Sequence, residues 1–295
     1  MDNLKMNVSK IVGSLLLVSS LWACTKPVTN SVNLDSVSLV KKWETDANLL
    51  TPESVLYDQA NNVLYVSNIN GQAGDKDGNG SVGRVGVDGK IQEAEWVKGL
   101  DAPKGMGLYK GLLYVADLTK VVVIDTKTGQ KVRDIELPGA QFLNDITVDS
   151  KGNIYVSDSS GKKVYQITDN IPSVWLESNI LERPNGLLAH QNKMYLIDMP
   201  TGIFYQVNNK SKELIKQSEG LIGGDGIVPV GGGDFLISNW NGEVSYVTGD
   251  GKVKKLIDTK AEKINAADIE FIPALNLLLV PTFFNNKVVA YQLQK

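Results

Sequence analysis

The sequence is poor in the residues on which many catalytic and metal sites depend. It contains one cysteine and one histidine in 295 residues, so an imidazole-rich or thiolate-rich zinc site cannot be assembled from it. A serine triad could draw only on His190, and neither a Gly-x-Ser-x-Gly sequence nor a phosphate-binding glycine loop is present. A net charge of −3 without a long run of Lys or Arg argues against nucleic acid as a partner.

No apolar run near the N-terminus is long enough to span a membrane. Residues 11–22 form an apolar run behind two lysines, which is the pattern of a signal-peptide core. The run ends in Leu-Trp-Ala-Cys (21–24), which resembles a bacterial lipobox, in which the cysteine is lipidated and becomes the first residue of the mature protein. We therefore expect a signal peptide over residues 1–23, lipidation of Cys24 and a flexible tether over residues 24–35.

This interpretation predicts a bacterial lipoprotein that is exported and anchored in the cell envelope by its lipid. An ordinary signal peptide followed by an incidental cysteine is the alternative. Because Cys24 is the only cysteine, the mature chain has no disulfide in either case, and its stability must come from its core.

The rest of the chain repeats one short pattern six times. Each copy is a tight turn followed by an apolar strand rich in Val, Ile and Tyr. The copies are NNVLYVSN (61–68), KGLLYVAD (110–117), KGNIYVSD (151–158), QNKMYLID (191–198), GGDFLISN (232–239) and ALNLLLVP (274–281). A loop-to-strand junction precedes each copy and carries one polar residue in the same position. These residues are Glu53, Lys104, Asn144, Asn185, Asp225 and Asp268.

The spacing of these junctions predicts the fold. They recur every 40 to 51 residues, and a period of about 40–45 residues with four short strands per unit is typical of a β-propeller. The last unit has room for only three strands before the chain ends, so residues 36–44 should supply the fourth strand and close the ring. We expect one domain over residues 36–295, an all-β propeller with six four-stranded blades.

The six junction residues should converge, because the first strand of each propeller blade lines the central channel. Three carboxylates and two amides at one channel mouth are hard oxygen ligands, which suit Ca²⁺, with Mg²⁺, Mn²⁺ or Zn²⁺ as alternatives. Crowded carboxylates repel one another and take up protons unless a cation balances them. The sequence therefore predicts a divalent metal in the channel.

The junctions PES, LND, RPNG and GDG, in this order, resemble the senescence-marker-protein (regucalcin)/gluconolactonase family over residues 37–293. The resemblance implies that Glu53, Asn185 and Asp225 bind a divalent metal. It also implies that Asn144 contacts metal-bound water or substrate, next to or within the ligand set. Characterised members hydrolyse sugar lactones and related esters. We therefore expect a monomeric, metal-dependent hydrolase that acts on a small lactone or ester at the channel mouth.

Two positions differ from the family pattern. Members often carry a substrate-binding Arg two residues before the blade-three asparagine, where this chain has Phe142. Blade two presents Lys104, which could clamp an anionic substrate or an oxyanion, or could pair with Glu53 and replace part of the metal's charge. In hydrolysis, Asp225 or Asp268 would take the proton, and Asp268 could also be a fifth metal ligand.

A binding protein without activity is the alternative function, because fold alone does not decide function. A lipid-anchored propeller could bind a glycan, a small molecule or a protein, with the polar ring as a plug. Trp240 and the Phe283-Phe284 pair are predicted to fill space between blades, although the pair could also form an apolar wall for a substrate. The stretch DKDGNGS (75–81) imitates the start of an EF-hand loop, but Gly86 stands at its twelfth position, so a solvated loop with Asx turns is favoured.

Overall fold

The structure is a computed structural model that describes Met1 and residues 32–295. The predicted signal peptide beyond Met1, Cys24 and most of the predicted tether lie outside the described residues. Among the residues described, no helix is long and apolar enough to cross a membrane. The helical segments found in this part of the chain are three short 3-10 turns, Leu34–Ser36, Pro273–Leu275 and Phe283–Asn285.

The described chain forms six four-stranded antiparallel sheets, which are the six blades of a propeller. Blade one contains β2 (Pro52–Asp58), β3 (Val63–Asn68), β4 (Gly80–Gly86) and β5 (Ile91–Leu100). Blade two contains β6 (Pro103–Tyr109), β7 (Leu112–Asp117), β8 (Lys120–Asp125) and β9 (Lys131–Glu136). Blade three contains β10 (Leu143–Val148), β11 (Ile154–Asp158), β12 (Lys163–Thr168) and β13 (Ile171–Glu177).

The second half of the ring repeats this arrangement. Blade four contains β14 (Pro184–His190), β15 (Lys193–Asp198), β16 (Ile203–Val207) and β17 (Leu214–Ser218). Blade five contains β18 (Gly224–Pro229), β19 (Phe235–Asn239), β20 (Glu243–Val247) and β21 (Val253–Asp258). Blade six contains β22 (Glu270–Ile272), β23 (Leu277–Pro281), β24 (Val288–Gln294) and the N-terminal β1 (Ser38–Glu44). The first strands of neighbouring blades pack against one another around the whole ring, from β2 through β22 and back to β2.

The N-terminal strand closes the ring, as the sequence predicts. Strand β1 pairs antiparallel with β24, with Leu39 opposite Leu293, and so completes blade six. Packing starts earlier than the predicted boundary at residue 36, because Val32 and Leu34 contact the core between blades five and six. The Lys254 ammonium also donates to the Leu34 carbonyl at 2.7 Å. Residues 32–35 therefore belong to the packed structure and not to a free tether.

The second strands explain why the repeated phrases read as continuous apolar runs. Every residue of β3, β11, β19 and β23 is buried, because a blade is covered on both faces by its neighbours. Side chains from adjacent blades mix in each core cluster. Between blades two and three, for example, Tyr114 and Val123 pack with Ile146 and Tyr165. Such burial is the main source of stability for a domain without disulfides.

Candidate functional site

Five of the six predicted residues line one cavity of about 250 Å³ at a mouth of the channel. Each is the second residue of the first strand of its blade, and the register of that strand with its neighbour shifts there. A bulge takes one residue out of the ladder and redirects its side chain, here into the channel. The five residues are Glu53, Lys104, Asn144, Asn185 and Asp225.

The junction sequence of blade four shows how these side chains are positioned. Pro184 begins β14, where a missing N–H costs no ladder bond. Asp198, the last residue of β15, accepts the Arg183 N–H at 2.7 Å and the Glu182 N–H at 3.1 Å, which holds the incoming loop. A Cβ on Gly186 would fall on the Asp225 carbonyl oxygen, so only glycine lets the first strands of blades four and five approach this closely.

Two acceptor oxygens in this cavity have no hydrogen-bond donor within the described structure. They are Oε2 of Glu53 and Oδ1 of Asn185, whose side chains are only 5% and 2% exposed. The Asn185 amide nitrogen faces the Met199 sulfur at 3.8 Å. Leaving a buried acceptor unpaired costs about 1–3 kcal/mol, and few such groups occur in a native protein. Both oxygens are therefore available to a cation, which accepts oxygen lone pairs.

Burial makes the charged form of both carboxylates of the cavity unfavourable. Burial, reinforced by the charges of Asp225 and Asp268, raises the pKa of Glu53 well above its ordinary value. Burial and the charge of Asp268 likewise raise the pKa of Asp225 well above its ordinary value. Glu53 and Asp225 therefore favour a bound proton when no cation is present, and a divalent cation beside them would reverse this preference.

Lys104 does not pair with these carboxylates. Its side chain is 1% exposed, and its ammonium donates to the Ala102 carbonyl at 2.9 Å. The ammonium also lies 4.4 Å from the centre of the Phe142 ring, which is a cation–π distance. Burial lowers the pKa of Lys104 to about 8, although the charge of Glu53 opposes this shift. Of the two interpretations of Lys104, this geometry favours a free cation that can meet an anion in the cavity.

Asp268 lies elsewhere, although it occupies the matching position of blade six. Its carboxylate accepts the Ser54 hydroxyl at 2.6 Å. It lines, with Asp145 and Glu270, a separate cavity of about 430 Å³ in the channel. The Ser54 hydrogen bond therefore fixes the carboxylate in this second cavity, although its charge still raises the pKa values of Glu53 and Asp225. This placement does not support Asp268 as a fifth metal ligand or as a base at that mouth.

Two residues near the site were not identified from the sequence. Asp145, next to Asn144, is buried and accepts the N–H groups of Ile146 and Leu187, both at 2.6 Å, so it ties blade three to blade four. Arg183 is exposed and lines the cavity of Glu53. It stands two residues before Asn185, as Phe142 stands two residues before Asn144. Alignment of the junctions FLN and RPN would have revealed this equivalence.

Apolar side chains form the wall of the cavity above the polar residues. Trp240 lines it together with Phe142 and Phe283, and the Trp240 and Phe283 rings meet edge to face at 5.5 Å. The prediction that Trp240 only fills space between blades is therefore incomplete. The alternative that the Phe283-Phe284 pair forms an apolar wall holds for Phe283, whereas Phe284 is largely exposed.

The remaining predicted features do not line this cavity. His190 ends β14, at the opposite end of the strand from Asn185. In the EF-hand-like stretch, the Asp77 carboxylate accepts the Asn79 backbone N–H at 3.2 Å, which is the predicted Asx turn. No group of three His, Cys, Asp or Glu residues within the described part of the chain is placed to hold a metal, so a metal at Glu53 and Asp225 would need amide oxygens as well.

Solved structures share this architecture at low sequence identity. A "putative gluconolactonase" is 16% identical over 87% of this chain and 92% of its own chain, with a TM-score of 0.65. A catalytically inactive virginiamycin B lyase from Staphylococcus aureus, solved with quinupristin, is 14% identical over 87% of this chain and 98% of the lyase, with a TM-score of 0.61. A chain of a nidogen/laminin complex is 18% identical over 75% of this chain and 84% of its own, with a TM-score of 0.63.

These likenesses establish the six-bladed propeller fold, to which gluconolactonase-like proteins and a lyase both belong. No protein-family model matches the chain, and no curated protein matches it. At such identities the shared fold does not transfer an activity, so the function must be argued from the cavity.

Proposed function

We propose that the protein is a metal-dependent hydrolase of a lactone or a related ester, acting in the cavity lined by Glu53, Asn185 and Asp225. The observation that carries the proposal is the pair of buried, unpaired oxygens on Glu53 and Asn185, beside a second carboxylate. The fold shared with a "putative gluconolactonase" is consistent with this activity.

The donor set fits a hard divalent cation. Glu53, Asp225, Asn185 and Asn144 would hold it through oxygen atoms alone, which suits Ca²⁺, Mg²⁺ or Mn²⁺ better than Zn²⁺. The Asn144 amide nitrogen donates to the Ser159 hydroxyl at 3.3 Å, so its amide oxygen would be the atom that binds the cation. A bound cation would supply Lewis acidity to the carbonyl of an ester.

The residues of the chain would carry out the remaining steps. Water attacks the carbonyl carbon, and Asp225 accepts a proton from that water. The Lys104 ammonium stabilises the negative charge that develops on the carbonyl oxygen. The carbon–oxygen bond of the ester then breaks, and the proton held by Asp225 passes to the leaving oxygen. The products are a carboxylic acid and an alcohol, which remain joined when the substrate is a lactone.

Metal analysis combined with an activity panel tests the proposal. Protein purified without chelator should contain a divalent metal in a one-to-one ratio. It should hydrolyse at least one member of a panel of lactones and aryl esters, and EDTA should abolish that activity until metal is restored. Metal and ligand binding without turnover would instead support the alternative of a binding propeller. Absence of both metal and turnover would refute the proposal.

We also propose that the protein acts as a monomer in the cell envelope, anchored by lipid on Cys24. The support for the lipid anchor is the sequence of residues 1–24 alone, with its apolar run and lone cysteine.

A further inference from the structure

We infer that the substrate of this site is an anionic lactone or ester with an apolar body, and not a polyhydroxylated sugar lactone. This inference rests on the proposed function and adds the substrate class. It assigns Phe142, Trp240 and Phe283 to the apolar body and Arg183 to the anionic group.

The residues that form the wall of the cavity favour a substrate with an apolar body. All of the wall residues other than Arg183 lack a charged or amide group, and they are Ile69, Ala73, Phe142, Met199, Trp240 and Phe283. A sugar lactone would bring several hydroxyl groups against this wall, and a hydroxyl removed from water without a partner costs about 1–3 kcal/mol in proteins. An aromatic ring or an alkyl chain meets no such penalty. An aromatic ring can also pack edge to face on Trp240.

The charges that line the cavity explain the anionic group. Two carboxylates, Glu53 and Asp225, face two cations, Lys104 and Arg183. A divalent cation held by the carboxylates leaves a surplus of two positive charges in the cavity. The developing oxyanion of hydrolysis neutralises one of them, at Lys104. A second negative charge, carried by the substrate itself, would neutralise the other.

The position of Arg183 identifies which cation meets that second charge. Lys104 is buried against the Phe142 ring, whereas the Arg183 side chain is exposed. Arg183 makes no ion pair with a carboxylate elsewhere in the described structure, because the described salt bridges of arginine involve only Arg84. A guanidinium presents a planar fork that binds a carboxylate through two hydrogen bonds. Arg183 is therefore a rim group that is free to bind a carboxylate or a phosphate.

A matched pair of chromogenic esters tests this assignment in the metal-loaded protein. Mono-4-nitrophenyl glutarate and 4-nitrophenyl valerate have acyl chains of equal length and differ in a terminal carboxylate. We expect kcat/KM to be about tenfold higher or more for the glutarate ester, since a hydrogen bond to a charged group contributes about 1.5–3 kcal/mol. D-Glucono-δ-lactone should be the poorest of the three substrates.

Single substitutions test whether Arg183 causes the preference for the glutarate ester. Arg183→Gln should bring the two esters to within about twofold of each other, because it removes the charge and the guanidinium fork but keeps a polar side chain. Arg133→Gln, on the exposed strand β9, is the matched control and should leave the preference intact. Trp240→Ala should raise KM for both esters without changing metal content.

Binding of unreactive ligands separates this inference from the proposed function. In calorimetric titrations with Ca²⁺ present, 4-phenylbutyrate should bind and 4-phenylbutan-1-ol should bind at least about tenfold more weakly; Arg183→Gln should remove that difference. Preferred turnover of the sugar lactone, or 4-phenylbutyrate binding that Arg183→Gln leaves unchanged, would overturn the inference while the hydrolase stands. Binding as expected with no ester or lactone hydrolysed would refute the hydrolase and leave the ligand class in place.

Discussion

Glu53 and Asn185 come from blades one and four, which face each other across the ring, yet both line the same cavity, and each has a buried oxygen without a hydrogen-bond partner. No local hydrogen bond satisfies either atom within residues 32–295. Only closure of the propeller brings the two residues together, so a ligand that bridges them would bind the folded ring and not the unfolded chain. Such a ligand stabilises the fold by mass action.

The first prediction concerns the ligands of this proposed metal. Asp225→Ala should weaken Ca²⁺ or Mn²⁺ binding by about tenfold or more, because charge count tunes the affinity of oxygen sites. Asn185→Ala should have a smaller effect, since it removes a neutral ligand. Asp77→Ala, in the exposed loop of blade one, is the control and should leave the affinity unchanged. Calorimetric titration measures all three, and an undiminished affinity in Asp225→Ala would exclude this residue as a ligand.

The second prediction is that metal stabilises the protein more as the pH rises. Burial raises the pKa of Asp268 to about 6 and that of Glu270 to about 7, and it also raises those of Glu53 and Asp225. Raised pKa values mean that the folded state keeps protons that the unfolded state loses above about pH 4. The contribution of Asp268 and Glu270 to stability without metal is thus present at low pH and is lost as the pH rises through about 6 to 7. Glu53 and Asp225, the proposed ligands, contribute with the same sign, because their pKa values are also raised.

Melting temperatures in EDTA and in Ca²⁺ at pH 5, 6.5 and 8 measure this effect. In EDTA the melting temperature should fall across the series, because the clustered carboxylates must ionise. Added Ca²⁺ should offset the fall, so the difference between the two conditions should be largest at pH 8. A difference that is constant with pH would show that the metal does not bind at these carboxylates.

The fold could be predicted from the sequence because the same sequence pattern occurs in all six blades. Each blade supplies the same turn, apolar strand and polar junction residue, so an error in one repeat is corrected by the other five. The convergence of Glu53, Asn144, Asn185 and Asp225 follows from the period alone. Closure by the N-terminal strand follows from counting the strands in the last repeat.

The features that the sequence did not predict depend on contacts between different blades. Asp268 occupies the position in blade six that Asp225 occupies in blade five, but its carboxylate is bound by the hydroxyl of Ser54, from blade one. Trp240 lines the cavity with its ring packed against Phe283, from blade six. Such contacts join positions far apart in the chain, so no local sequence pattern predicts them. Arg183 is different, since its equivalence to Phe142 is visible in the sequence.

The third prediction concerns ring closure. A variant that begins at Val32 should melt at the temperature of the mature protein, because it keeps β1 and the contacts of Val32 and Leu34 with the core. A variant that begins after Thr45 loses β1, exposes the edge of β24 and should be strongly destabilised. A variant that begins after Asp35 should fall between them, since Lys254 loses its bond to Leu34. Equal melting temperatures for all three would contradict closure by β1.

The fourth prediction concerns lipidation. Cys24→Ser should move the protein from the membrane fraction of a bacterial host to a soluble or unprocessed form, because the cysteine is the residue of the lipobox that is lipidated. Metabolic labelling with a fatty acid should mark the wild type and not the variant. An unchanged distribution between fractions would show that residues 21–24 are not a lipobox.

The fifth prediction assigns the Lys104 ammonium to the transition state of the proposed hydrolysis. Lys104→Met keeps most of the apolar volume under Phe142 but removes the charge. It should lower kcat by about 10²–10³-fold, the usual effect of losing one oxyanion donor, and should change KM little. The melting temperature of the metal-loaded variant serves as the control for folding.

The pH profile distinguishes this role of Lys104 from simple packing. Because burial lowers the pKa of Lys104 to about 8, the ammonium is present below that pH and is lost as the pH rises through it. A cation bound at Glu53 and Asp225 would repel the ammonium and lower this pKa further. Wild-type kcat should therefore decline on the alkaline side of about pH 8 or below, and the residual activity of Lys104→Met should lack this decline. If the variant keeps the same decline, another group titrates there and Lys104 only fills space beneath Phe142.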